Sequence, residues 1–566
     1  AFVGFNGIGL NLSGVNLAIA LWSEVVTTGT PRSWTSVMAT VASAAFVGVP
    51  GLTMALTSAG IVINKAASDG TVIDYVAGDG ETEATDLTAS VGPTETVTFE
   101  IDDIYGDYAR VTGSAEINLF DLVTVTGSFG VEKKTNQTAY ISGAAAANVE
   151  VTANLLTIGL ANVFAFVGFN GVGLQLEDVD LAIALWSEVV TTGTARKWTS
   201  VMASVGSASF AGVEGLTMAL TSAAIVINKA ATDGSVVDYV RGDGETAATE
   251  LSVAAGPEDT VTFAIDDLNG DSMKVTGNAN INLFDLLEVT ASFGVEKKTG
   301  QTIYVSGSGA ENVSVEANLL TIGLANVSAF VGFNGIGLDL ADVDLAIALW
   351  SEVVTVGTPR KWTSVMASVG SASFVGVEGL TLMLTSAGIL INKKAADNTV
   401  VDYVKDADES AATELVVTVG PSETVTFAMN DTFGDFMRLT GSATINLFDL
   451  VEVTASFGVE KKTNQTIYVS GSSAENTEIQ ANLLTIGMSD VSVFAGFNGI
   501  GLQLDGVDLA IALWSEIVTM GTPRKWTSVM ATVGSASFVG IEGLTMALTS
   551  AGILINKKAA DGTVVD

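Results

Sequence analysis

The chain has 566 residues, 48% of them hydrophobic and only 15% charged, with 62 acidic side chains against 24 basic ones and a net charge of −38. It contains no Cys and no His, which excludes disulfides, thiolate nucleophiles, zinc-finger sites and imidazole acid–base chemistry. The charge repels nucleic acid and anionic membrane surfaces and attracts cations.

In chain order, Phe5-Asn6-Gly7-Ile8-Gly9 reads as a turn between strands, because no helix follows it as a dinucleotide fingerprint requires. Residues 17–26 fit a helix or a buried strand, and the strand is favoured. Further strands follow from period-2 alternation and from β-branched content, as at Thr96-Val97-Thr98-Phe99. Alternation is clearest after Trp362, where Val365, Ala367, Val369, Val375 and Val377 share one parity. Parity switches near Gly379 and again before Ile389, which predicts bends or bulges. Gly92-Pro93, Gly256-Pro257 and Gly420-Pro421 mark turns. Lys133-Lys134, Lys297-Lys298 and Lys461-Lys462 follow a Glu at strand ends and read as edge protection or local ion pairs. No run approaches the roughly 18 apolar residues of a membrane helix.

The whole pattern recurs. The phrase beginning at Ala1 returns at Ala165 and Ala329, and with changes at Val493, always 164 residues later. The repeats are therefore taken as 1–164, 165–328, 329–492 and a partial 493–566. A weaker threefold theme subdivides each. No Pro- or Ser-rich linker separates them, and the chain starts and stops inside a unit, as an excerpt of a longer array would. Fixed self-similarity points to stacked units. The expected fold is all-β, an elongated stacked array resembling a β-solenoid. Tandem β-sandwich modules are the alternative.

Two acidic loops recur in each repeat. One brings Asp102, Asp103 and Asp107, copied as Asp266, Asp267 and Asp271, then as Asn430, Asp431 and Asp435. Carboxylates around a Gly turn suit calcium, which takes 6–8 hard oxygen ligands. The alternative is a turn whose Asp residues bond their own backbone. The second loop runs over residues 74–81, with copies at 238–245 and 402–409. Its ligand number is kept but its ligand positions are not. Neither loop matches an EF-hand or a nonapeptide calcium repeat. Paired carboxylates alone give no glycosidase, and no enzymatic activity is expected. All eight Trp fall at two repeat positions, Trp22 and Trp34 with their copies. Core packing is expected of them, with sugar stacking as the alternative.

The phrases at residues 506–513, 535–545 and 455–461 resemble repeats of giant bacterial surface proteins that accompany RTX-like modules. The resemblance implies secretion or a cell-surface location, tandem β architecture, calcium as the candidate ion, and an adhesive or biofilm-matrix role. It transfers no catalytic residue, and the RTX nonapeptide is absent. The expected function is a non-enzymatic extracellular structural protein that self-associates into a stiff filament. A non-polymerising adhesin stalk and a glycan-binding array are the alternatives. No nucleic-acid partner and no membrane insertion are expected.

Overall fold

The computed structural model describes all residues except 79–82, 143–147, 243–246, 307–311, 406–410, 430, 432–433 and 472–475. The regular structure of the described residues is β-strand, apart from one short 3₁₀ turn at Asp103–Tyr105. The all-β expectation holds, and residues 17–26 belong largely to the strand Ile8–Ser23.

The chain divides into two compact units, Ala1–Gly277 and Asn278–Asp566. In the first, the long strands Ile8–Ser23, Ser33–Val47, Leu52–Lys65, Tyr108–Leu119, Val123–Ser142, Val149–Phe169, Val172–Glu188, Lys197–Ala211 and Leu216–Lys229 pair antiparallel in chain order. The second repeats this plan from Leu287–Ser306 to Met546–Lys557. Neighbours in sequence are thus neighbours in the sheet. The stacked coils of a solenoid and the two faced sheets of a sandwich are not what these ladders form. In neither unit does the ladder close on itself among the described residues. The repeat boundaries at 164/165, 328/329 and 492/493 fall inside the strands Val149–Phe169, Val313–Phe333 and Thr477–Phe497.

Connections alternate in length. At one end they are tight. Asn170 and Gly171 both have positive φ, 51° and 77°, and close a two-residue hairpin between Phe169 and Val172. At the other end they are long, and one per repeat is an insert of residues 66–107, 230–271 or 394–435. Each insert carries a small hairpin: Thr88–Ser90 with Thr96–Thr98, Ser252–Ala254 with Thr260–Thr262, and Val416–Thr418 with Thr424–Thr426. The predicted Gly-Pro turns lie between these strands.

The inserts fold back onto one face of the sheet and make the core. In the first unit, Tyr239, Leu251, Val253, Phe263 and Ile265 pack on Leu155, Ala182, Ala184, Trp186 and Trp198. In the second, Tyr403, Leu415, Val417 and Phe427 pack on Leu319, Ala346, Trp350 and Trp362.

Among the described residues, the opposite face of each unit has no insert on it, and it is apolar from the long-loop end to the tight turns. Across one strand pair it presents Leu156, Ile158, Leu160, Val163, Ala165, Val167 and Phe169 opposite Leu185, Ile183, Leu181, Val179, Leu176, Leu174 and Val172. The row stays on one face only because bulges at Asn162 and Asp178, both at positive φ, reset the alternation. The second unit repeats it as Leu320 to Phe333 opposite Leu349 to Ile336. These bulges also correct the single parity expected after Trp362. Val369 pairs with Val343 on the apolar face, but Ala372 and Phe374, not Val375, continue it opposite Leu340 and Leu338.

Candidate functional site

Each insert is held by a relay of hydrogen bonds that begins at the Trp pair. Trp186 Nε1 donates to the Tyr239 hydroxyl at 2.9 Å, which donates to Ser200 Oγ at 2.8 Å. Ser200 donates to Asn228 Oδ1, and Asn228 Nδ2 donates to the Val237 carbonyl. The same relay runs through Trp22, Tyr75, Ser36 and Asn64, and through Trp350, Tyr403, Ser364 and Asn392. Burial pushes the Tyr239 and Tyr403 hydroxyls well above their ordinary value, so they remain neutral donors. The other Trp of each pair, Trp198, donates to the Ser235 carbonyl and is 1% exposed. Over its ring lies the Arg196 guanidinium, which also binds Glu188 and Asp233.

Close contact fixes the insert's depth. A Cβ on Gly130 or Gly159 would fall on the Ala254 carbonyl oxygen, and one on Gly294 or Gly323 on that of Thr418. Glycine is needed here for approach, not for φ.

The expected metal ligands separate into two groups. Asp102 and Asp103 meet Asp74 of the other acidic loop, with one oxygen of each within 4.8 Å of the others. Asp107 turns away to Lys65 Nζ at 2.6 Å and Lys133 Nζ at 3.7 Å. Asp271 likewise pairs with Lys229 at 2.5 Å, and Asp435 accepts from Thr463 Oγ1 at 3.1 Å. Asp266 Oδ1 accepts from the Leu268 amide, as Asp102 does from Ile104, which is the self-bonded turn foreseen as the alternative. Asp267 and Asp431 are buried, each 4% exposed. Asn430 and residues 79–81, 243–245 and 406–409 of the second loop and its copies lie outside the described residues. No local residue pattern signals that the two acidic loops meet in the first repeat, nor that Tyr75, Tyr239 and Tyr403 tie the inserts to the sheet.

The Lys pairs form local ion pairs: Lys134 with Glu132 at 3.1 Å, Lys298 with Glu296 at 3.3 Å and Lys462 with Glu460 at 3.1 Å. The sugar-stacking alternative for Trp is corrected by burial. Trp186, Trp198, Trp350, Trp362 and Trp526 are all under 5% exposed, beneath or beside an insert.

No family model and no curated protein matches the chain. Among solved structures, the copper transporter OprC matches at 10% identity and TM-score 0.20, covering 98% of this chain and 72% of that one. The ferric yersiniabactin uptake receptor FyuA of Yersinia pestis matches at 9% and 0.17, covering 94% and 72%. A mutant of the ferric enterobactin receptor PfeA of Pseudomonas aeruginosa matches at 12% and 0.17, covering 89% and 77%. The expected kinship with RTX-like and adhesin repeats is corrected by these findings, since the chains matched are a transporter and uptake receptors. With it go the filament, stalk and matrix roles, the glycan partner, self-association and the exclusion from membranes. The structural reason is the uncovered apolar row, which a water-exposed filament would not carry.

Proposed function

We propose that the strands span an outer membrane, with the apolar face toward lipid and the insert-bearing face toward an aqueous pathway. The observation that carries this reading is the apolar row. From Leu156 to Phe169 it covers thirteen residue steps, about 43 Å at about 3.3 Å per residue. Tilted by about 45°, that becomes about 30 Å, the thickness of a bilayer's hydrocarbon core. Charge on this face is confined to the long-loop end. There Lys133 pairs with Leu156, Lys197 with Ser187, and Lys65 with Thr35. Long cationic side chains at that level reach the lipid headgroups. At the tight-turn end stand Phe5, Phe169, Phe333 and Phe497, each 65–80% exposed, where an aromatic girdle belongs. Tight turns at one end and long loops at the other match the same architecture.

The other face is small and polar, with Gln175, Glu177, Asp180, Ser204 and Ser209 along it. With a net charge of −38, such a pathway favours cations and cationic complexes over anions. The inserts sit on it as partial plugs, so the function inferred is gated passage or uptake of a cationic solute at the cell surface. No chemical reaction is part of it. An open strand edge is not tolerated in lipid, so the reading requires each edge strand to find a partner strand in the membrane.

The test uses the absence of cysteine. Single variants I183C on the apolar face and S204C on the polar face are labelled with an environment-sensitive dye and folded into vesicles. A blue shift and quenching by doxyl lipids at Ile183 but not at Ser204 supports the proposal. Equal, water-like emission at both, or a chain soluble without detergent, overturns it.

A further inference from the structure

The geometry points to a buried binding site for a hard divalent cation of the calcium class, one in the second repeat and one in the third, assembled from an insert and the preceding hairpin. The carboxylates come first. Asp238 and Asp402 are fully buried, and Asp267 and Asp431 nearly so. They are the copies, 164 and 328 residues on, of Asp74 and Asp103, which with Asp102 form the group of three carboxylates that meets in the first repeat. Burying carboxylates is costly unless cationic charge or hydrogen bonds answer it.

The second observation is independent of the acidic residues. The hairpin end of Val123–Ser142 lies on this cluster: Val236 pairs with Ser142, and the Asp238 amide donates to the Tyr140 carbonyl. Ser142 is 3% exposed, and its Oγ has no hydrogen-bond partner. Its aim is shown by its copy Ser306, whose hydroxyl lies directly against Asp431 Oδ2. Asn148 Nδ2 donates to Asp238 Oδ2 at 2.7 Å, which sets the amide at the cluster, yet Asn148 Oδ1 is buried without a partner. The third repeat reproduces this: Asn312 Nδ2 donates to Asp402 Oδ2 at 2.8 Å, and Asn312 Oδ1 is again unpartnered. A buried oxygen lacking a donor, in the same place twice, calls for a bound species that supplies positive charge.

The candidate ligand atoms are all oxygens, from carboxylate, amide and hydroxyl groups, and the chain has no imidazole or thiolate to offer. That donor set suits calcium or magnesium rather than zinc or copper. Calcium's larger and more tolerant shell, completed by water, fits carboxylates drawn from two loops. The ion would pin the insert to the neighbouring hairpin. Asp107, Asp271 and Asp435 take no part in the site.

The full chain, stripped with chelator, is titrated with Ca²⁺ by calorimetry and with Tb³⁺ by luminescence sensitised through Tyr239 and Trp186. About two ions per chain are expected, with a rise in Tm. The variant S142A keeps the metal-free Tm, since it removes only a partnerless hydroxyl, and weakens affinity at the second-repeat site about tenfold. D267N/D431N lowers affinity further, and its fold is checked by Trp emission. Absence of both heat and Tb³⁺ signal overturns the inference. So does unchanged affinity in S142A together with D267N/D431N. The readout needs no lipid, so failure of the membrane proposal leaves this one standing, and the reverse.

Discussion

Leu181→Arg is the sharpest test of where the apolar face resides. Leu181 sits near the middle of its row, between Val179 and Ile183, and pairs with Leu160 on one side and Ala203 on the other. If that row faces lipid, Arg at this depth costs about 2–4 kcal/mol. At 1.36 kcal/mol per decade, this is a loss of about 30- to 1,000-fold in the folding equilibrium. Leu174→Arg, two positions from the tight turn, should cost only about 0–1 kcal/mol by the same depth dependence. If the face met water, both changes would stay within about 0.5 kcal/mol, as exposed substitutions do. Folding into vesicles, followed by Trp emission across a guanidinium series, measures the difference. Equal midpoints for the two variants would refute the reasoning.

Other outcomes follow from the insert and its loops. Gly159→Ala and Gly323→Ala drive a Cβ into the Ala254 and Thr418 carbonyls and should lift the insert, with a red shift of Trp emission. Gly487→Ala, the same position one repeat later, meets nothing nearer than the Leu509 carbonyl at 3.9 Å and should leave emission unchanged. Tyr239→Phe leaves Trp186 Nε1 without its acceptor and should cost about 1–3 kcal/mol in a denaturant titration. Acid should loosen the long-loop end. The Thr563 hydroxyl and amide, with Arg524, hold Asp561 down to about 2, and the Thr71 hydroxyl and amide, with Arg32, lower Asp69 likewise. A depressed folded-state value means the stabilisation is complete above the ordinary carboxylate range near about 4 and is lost as pH falls toward about 2. Thr563→Val should therefore move the onset of hydrogen exchange in that loop to higher pH.

Much of the local structure was legible because it is written in adjacent residues. Asn170-Gly171 made its hairpin, Gly256-Pro257 its turn, and the Lys pairs their neighbouring Glu contacts. The apolar face was hidden by one-residue resets at Asn162 and Asp178. A strict period-2 reading assigns Val163 and Val179 to the wrong side of such a bulge. Screening for long apolar runs tests for helices alone, whereas a spanning strand needs only every second side chain to be apolar. The buried carboxylates were named, but not their company. Ser306 and Asp431 are 125 residues apart, and only folding of the insert brings them together.

In the first unit, six long strands separate one insert from its copy, from Tyr108 through Lys229. Six is even, so each added repeat returns the chain to the level and side from which it left. Lengthening or trimming by whole repeats therefore keeps every insert on the same side of the sheet and every Lys row at the same height. Each step widens the wall by about 29 Å at about 4.8 Å per strand. Loss of three strands would instead turn the following inserts out at the opposite end. Adding or removing whole repeats would thus resize such a sheet in fixed steps without inverting it, which half a repeat would not.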